Sequence, residues 1–212
     1  MNILITGTSR GIGAGLAETY RARGDEVIGT TRAGDWPLDV TNADSQKALA
    51  AKLDGRPIDL LVCNAGVYLD KRERLDTGYA SQLWADTFAA NVTGVFLTVQ
   101  ALLPNLEAAA QGKIAIISSQ MASSERAPGG SYIYRASKAA VLNLGRNLAA
   151  DLRQSDIAVG IYHPGWVITD MGGGAADITV DDAVSGLVER FDDLSIATTG
   201  VFETWDGRAH PY

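Results

Sequence analysis

The chain is poor in residues that staple or ligate. Cys63 is its sole cysteine among 212 residues, which excludes an intramolecular disulfide, and two histidines leave no convincing zinc set. Cys63 lies in the apolar run IDLLVCNAG, where a buried, inert thiol is expected. No uninterrupted apolar run approaches the ~20 residues that span a bilayer. No charged leader followed by an apolar stretch opens the sequence, and Met1 runs directly into NILITG. Basic charge is scarce too: 18 Lys and Arg against 25 Asp and Glu give a formal charge of −7. An acidic surface repels nucleic acid and anionic lipid, so neither is expected as a partner. These absences together suit a cytoplasmic, reducing environment. An anionic cofactor would need a local positive patch inside this negative protein.

With 46% hydrophobic and 20% charged residues, the chain can bury a substantial core. Short apolar runs alternate with longer stretches of helical spacing. Ile3–Ile5, Val27–Thr30, Pro37–Val40, Leu60–Cys63, Ile114–Ser118, Val159–Tyr162 and Gly200–Thr204 read as strands. Helices are expected from Ile12 through Tyr20, over Ala43–Leu53, within Ala80–Leu106 with Pro104 near its end, over Tyr132–Gln154 and near Val180–Arg190. Alternating strands and helices imply right-handed crossovers and a mostly parallel sheet covered on both faces. The strands show little polar alternation, as burial on both sides requires. With no repeat or linker in sight, residues 1–212 are expected to form one doubly wound α/β domain. The stretch between the second and third strands is too short for an ordinary crossover helix.

The segment ILITGTSRGIGAG places Gly7, Gly11 and Gly13 between a strand and a helix, the context in which a glycine triplet has a mechanism. Gly7 permits a tight turn, Gly11 lets backbone approach a pyrophosphate, and Gly13 lets helix and strand pack closely. The helix N-terminus then offers free N–H groups to phosphates, Ser9 adds a hydroxyl, and Ile12 belongs to the same cradle. At the end of the second strand, where an acid would accept from NAD ribose hydroxyls, the sequence reads VIGTTRAG. Arg32 there, with Arg10 from the glycine loop, can grip a 2′-phosphate, which favours NADP over NAD.

YIYRASKAAVLNLG carries Tyr134 and Lys138, whose spacing puts both on one helix face. A neighbouring ammonium favours the phenolate, and a tyrosine tuned toward neutrality can pass a proton to or from a carbonyl oxygen. Tyr132 has Ala136 at the equivalent offset and cannot form that pair.

The order of TGTSRGIG, LDV, CNAG, NVTG, ISS, YRASK and HPGWVITDMGG along the chain resembles the short-chain dehydrogenase/reductase family over nearly its whole length. HPGWV and the closing TTGVFETWDGRAHPY look most like its small carbonyl-reductase branch, which includes the C-factor-like proteins. The resemblance implies a Rossmann fold and hydride transfer between a nicotinamide and a carbonyl or alcohol. It makes Tyr134 the general acid/base and Lys138 the ligand of the nicotinamide ribose. It further implies that Ser119 hydrogen-bonds the substrate oxygen and that Asn91 anchors a water extending the proton relay. By the same resemblance Asp39 and Val40 bracket the adenine, while Asn64, Ala65 and Gly66 line the cofactor cleft. Pro164, Gly165, Val167 and Thr169 face the nicotinamide, with the Val167 backbone on its carboxamide.

Two departures from the family pattern stand out. The stretch from Ser119 to Tyr134 is longer than usual, which leaves Ser118, Ser123 and Ser124 as weaker candidates for the serine role. After Thr169 the chain is short and glycine-rich where relatives carry a helical lid, so an open pocket is expected.

Of the remaining residues, His163 is expected to be structural or cleft-lining, His210 solvated, and Asp192 and Asp193 a solvated loop. Trp84, Met121, Trp166 and Met171 are equally suited to a pocket wall or to core packing. Apolar residues on more than one face of two helices (Val92, Phe96, Val99 and Leu103; Ala140, Leu144, Leu148 and Leu152) suggest a homodimer or higher homo-oligomer. The competing function is a cofactor-binding regulator without turnover. A pure sensor, however, has no need of the proton donor.

Overall fold

A computed structural model describes residues 1–212. Six parallel strands form one sheet in the order β2-β1-β3-β4-β5-β6: β1 (Asn2–Thr6), β2 (Glu26–Thr30), β3 (Leu60–Cys63), β4 (Lys113–Ile117), β5 (Ala158–His163) and β6 (Phe202–Thr204). Successive strand residues point to opposite faces, and both faces are apolar. Leu4, Leu61, Ile114, Ile116 and Val159 join one core with α2 (Ala43–Leu53), α4 (Gly94–Glu107) and α5 (Tyr132–Asp151). Ile3, Ile5, Leu60, Val62, Ala115 and Ile117 join the other with α1 (Gly11–Ala22) and α6 (Val180–Asp193). The doubly wound α/β expectation holds.

The chain steps from β1 outward to β2, then returns to the other side of β1 as β3. That reversal opens a crevice beyond the carboxyl ends of β1 and β3, the place where such sheets bind ligands. The glycine loop after β1 and the Asn64–Ala65–Gly66 segment after β3 both end there.

Several elements differ from the sequence expectation. Pro37–Val40 is not a strand. Only the Thr31–Pro37 bridge forms, because the few residues after β2 cannot hold a crossover helix and the chain must turn back at once. The long helix is interrupted: α3 (Ser81–Phe88) passes through a π-helical turn, Ala89–Thr93, into α4. Pro104 lies inside α4, which continues to Glu107. Taken together, Ser81–Glu107 is long and apolar enough to cross a bilayer by length and composition, although polar residues break its apolar runs. In the fold this helix packs on the sheet, with Val95, Val99, Leu102 and Leu106 in the core. Val99 is therefore core, not surplus apolar surface. Phe96 remains 41% exposed.

Asp192 and Asp193 end α6 instead of forming a loop, and pair with Arg23 and Arg190. His210 is buried, not solvated, because the chain folds back and lays its ring against Phe202 and His163. Cys63 is buried as expected, and its thiol is pushed up to about 12 by loss of solvent.

Candidate active site

The glycine loop is built by close approach. Gly7 turns with φ +75°, placing its Cα-hydrogen face against Ala65. Gly13 sits so near that a Cβ there would lie 2.2 Å from the Gly7 carbonyl oxygen and 2.4 Å from Asn64 Nδ2. Asn64 ties the crevice together, donating from Nδ2 to the carbonyls of Thr6 (2.9 Å) and Gly7 (3.0 Å). The Thr6 hydroxyl accepts from the Asn64 and Ala65 N–H groups. Helix α1 then begins with no side-chain cap and no acid in its first turn. Its N–H groups and positive dipole end thus face the crevice, the arrangement that suits a phosphate. Gly11, at φ +57°, meets only the Thr169 methyl from across the cleft.

At the other end of the crevice lies a cavity of about 310 Å³. Tyr134, Ser119 and His163 form part of its lining, and Met121, Trp166 and Met171 supply apolar wall. The Ser119 hydroxyl accepts from the Met121 N–H at 3.1 Å and lines the cavity beside the Tyr134 phenol. Lys138 Nζ is 5.6 Å from the Tyr134 ring centroid and donates to the Ile117 carbonyl at 2.9 Å. Burial pushes the Lys138 ammonium down to about 8. Burial also pushes the Tyr134 phenol above its ordinary value, with Ser119 pulling against it. In the free protein, therefore, desolvation outweighs the depression of the phenol expected from the Tyr–Lys spacing. His163, its imidazole pushed down to about 3 by burial, stays neutral.

Asn91 sits in the π-helical turn with its side chain buried. Its amide nitrogen donates to the Val67 carbonyl (2.9 Å) and to Ser137 Oγ (3.0 Å), and its oxygen accepts from the Val67 N–H (2.8 Å). A one-turn π-bulge is a common way to aim a functional residue out of helical register. Here it fixes the segment after β3 against α5.

Residues 1–178 match the short chain dehydrogenase family. The chain belongs to it. Among curated relatives, this short-chain dehydrogenase is 35% identical to the C-signal of Myxococcus xanthus over 167 residues, covering 78% of this chain and 99% of that one. It is 33% identical over 224 residues to the 1-hydroxy-2-glutathionyl-2-methyl-3-butene dehydrogenase of a Rhodococcus species, covering 97% and 96%. Among solved structures, the NADPH-bound carbonyl reductase from chicken fatty liver superposes with a TM-score of 0.91 at 30% identity, covering 100% of this chain and 98% of that one. The chain is thus an oxidoreductase of the carbonyl-reductase-like branch, and a nicotinamide dinucleotide is its cofactor class. The uncapped α1 terminus and the glycine cradle fit such a group.

The short-chain dehydrogenase brings together most residues the sequence singled out. Ser119 and Tyr134 line the cavity with Ile12, Pro164, Gly165, Val167 and Thr169, while Lys138 lies behind the Tyr134 ring and Asn91 lies with it beside Gly66. Ser118 donates to the Lys138 carbonyl and Ser123 to the Tyr212 carbonyl, so both are committed elsewhere. Ser124 is exposed. Trp84 does not reach the cavity and packs on Phe88. Ser9 and Arg32 are exposed at the crevice rim. Arg10, however, is held by Asp170 at 2.7 Å across the cleft. The Asp39 carboxylate accepts from the Thr41 N–H and hydroxyl in its own turn, while Val40 packs on the core.

The segment after Thr169 has no helix, and Trp166 and Met171 beside it are 44% and 40% exposed, so the pocket is open as expected, while hydrogen bonds hold the segment in place. Trp166 Nε1 donates to the Gly172 carbonyl, the Gly173 N–H to the Thr169 carbonyl, and Lys71 Nζ to the Met171 carbonyl. Sequence reading missed Tyr68, Asp70 and Lys71. They follow the CNAG motif in a stretch with no periodicity, and only the tertiary fold carries them to the site.

Proposed function

We propose that this short-chain dehydrogenase is an NADP-dependent reductase of small carbonyl compounds, acting on alcohols in reverse, with Tyr134 as general acid/base. The placement of Ser119 and Tyr134 together on the wall of one cavity carries this reading. A nicotinamide dinucleotide bound in the crevice would supply the hydride. Ser119 Oγ orients the substrate oxygen, and Tyr134 Oη gives it a proton as negative charge develops there. Lys138 keeps donors beyond the one spent on Ile117 and can hold a ribose hydroxyl. Both N–H donors of the Asn91 amide are spent on Val67 and Ser137, so a relay water would donate to an oxygen of this residue, side-chain or main-chain. The Met121, Trp166 and Met171 wall suits a substrate with a compact apolar body. A reducing, cytoplasmic location belongs to the same reading. The test is a screen of carbonyls and alcohols that follows NADPH absorbance; absence of turnover across both classes would sink it.

The relative named C-signal favours a second reading, a cofactor-binding signalling protein without turnover. The intact set of Asn91, Ser119, Tyr134 and Lys138 opposes it, and the same screen separates the two.

Arg32 is the residue proposed to select NADP. A guanidinium on a 2′-phosphate makes charge-assisted bonds worth ~1.5–3 kcal/mol each, about ten- to a hundredfold in affinity. Arg32→Ala is therefore expected to erase most of the NADPH preference in fluorescence titrations of both reduced cofactors. A variant that still prefers NADPH would refute the assignment. Arg10 would first have to leave Asp170.

A homodimer through α4 and α5 is also proposed. Phe96 is exposed, and Leu103, Leu144 and Leu148 on these helices, with Val92 in the π-helical turn before α4, are only partly buried. Light scattering at micromolar concentration is expected to give a dimer mass, and a clean monomer would rule it out.

A further inference from the structure

Asp70 is a carboxylate with 1% exposure and no basic side chain in salt-bridge contact. Burying such a group is costly unless hydrogen bonds replace water. Its oxygens accept from the Ile133 N–H at 2.9 Å and from the Tyr134 N–H at 3.2 Å. Those are free donors of the first turn of α5, and Asp70 reaches them from far upstream in sequence. The local candidate fails: Ser131, at the helix start, has φ +48° and makes no side-chain cap. The Ser131 hydroxyl is instead bonded to Tyr68, whose ring stacks on Tyr134 with centroids 4.2 Å apart and planes at 24°. The loop after β3 therefore holds Tyr134 twice, by ring stacking from Tyr68 and by its backbone N–H from Asp70.

The choice of a charged cap has an electrostatic consequence. Tyr134 stands in the first turn of α5, where the helix dipole presents positive charge, and Lys138 adds an ammonium from the next turn. Both favour a phenolate. Groups facing the phenol or its cavity are Ser119 from the end of β4, Tyr68, Asp70 and Lys71 from the loop after β3, neutral His163 from β5, and Lys138 from α5 itself. Asp70 is the one formal negative charge among them.

We propose that Asp70 is a positioning residue for Tyr134: it fixes the helical turn that carries the tyrosine, and its charge offsets the helix terminus and Lys138 so that the tyrosine rests as the protonated donor. The proposal rests on the reading of Tyr134 as the proton donor. Burial of the phenol acts in the same direction.

Asp70→Asn keeps an acceptor oxygen for the helix turn and removes the charge. In the oxidative direction, which needs the phenolate, the rising limb of kcat against pH is expected to move acidward by roughly one unit. On that limb the variant oxidises faster than wild type by up to about tenfold. Asp70→Ser, a second neutral cap, should show the same displacement. A readout independent of turnover is the phenolate absorbance of the apoprotein, taken as the difference between each protein and its Tyr134→Phe counterpart. The Tyr134 phenol of wild type should titrate above ~10, and that of either neutral variant should titrate lower than wild type. Superimposable limbs or titrations in a folded variant, with only thermal stability lost, would reduce Asp70 to a helix cap and overturn the proposal. Should neither variant fold, a wild-type phenol titrating below ~10 in the apoprotein overturns it. If no substrate is found, the absorbance difference still decides the role of Asp70, while the proposed function falls on its own screen.

Discussion

Tyr134→Phe is expected to lower turnover by at least ~10²-fold while leaving NADPH affinity within about twofold of wild type. The substitution removes one oxygen and keeps the ring. Stacking on Tyr68 and the backbone bonds to Asp70 should survive, so the fold has little reason to respond. What disappears is the donor beside Ser119. Reduction of a carbonyl leaves negative charge on oxygen, and a donor already aimed at that point need not reorganise as the charge develops. The loss therefore falls on kcat and kcat/KM together and leaves cofactor binding aside. Wild-type oxidation should rise with pH, because the phenolate takes the proton and the phenol cannot. Single-turnover reduction of the best substrate from the screen, beside fluorescence titration of NADPH, checks both halves. Near-full activity in the variant would remove Tyr134 from the chemistry.

The parts of this site visible in the sequence are those enforced by short-range geometry. Gly7, Gly11 and Gly13 are legible because strand, tight turn and helix must follow within a dozen residues. Tyr134 and Lys138 are legible because one helical turn places them on one face. The sheet was legible for a similar reason: runs such as LLVC and IAII are apolar at every position, which only burial on both faces explains. Pro37–Val40 failed because a strand needs a crossover to return it to the sheet, and seven residues after β2 there was none, only a bridge at Pro37. The pairing of Arg10 was hidden in a different way. Its charge is evident in the sequence, but the pairing that occupies it depends on Asp170, brought across the cleft by the path of the chain after β5. Asp70 and Tyr68 were hidden for the same reason, since a long-range cap has no local spacing to betray it. The depression of the phenol expected from Lys138 was a pairwise argument, and it omitted the burial of both partners that the complete fold imposes.

Gly13→Ala is expected to damage both the fold and the cofactor crevice although it adds a single methyl. Elsewhere in a helix the same change is favourable by roughly 0.5–1 kcal/mol, since alanine restricts the unfolded chain. At Gly13 the added Cβ would fall 2.2 Å from the Gly7 carbonyl oxygen and 2.4 Å from Asn64 Nδ2. One neighbour is backbone. The other is a side chain held by bonds to the carbonyls of Thr6 and Gly7. Neither can yield without opening the turn, so α1 must be displaced from β1 or Asn64 must surrender its hydrogen bonds while part-buried. Overpacking of this kind costs ~1–3 kcal/mol, and each lost bond about 1 kcal/mol more. A total of about 3 kcal/mol would lower Tm by roughly 6–12 °C in a chain of this size. The same displacement moves the uncapped N-terminus of α1, so NADPH affinity should fall at least about tenfold in whatever fraction remains folded. Gly15→Ala, two residues along the same helix, is the control. Its Cβ would meet side chains and no backbone, the methyls of Val180 and Val184 on α6 at 3.0 Å, so α6 need give by only a few tenths of an ångström. Thermal melts with and without NADPH should therefore separate the two variants: Gly13→Ala loses both stability and most of the cofactor-induced rise in Tm, whereas Gly15→Ala keeps that rise. Equal behaviour of the two would mean that the close approach of helix and strand at Gly13 does not hold the cofactor crevice together.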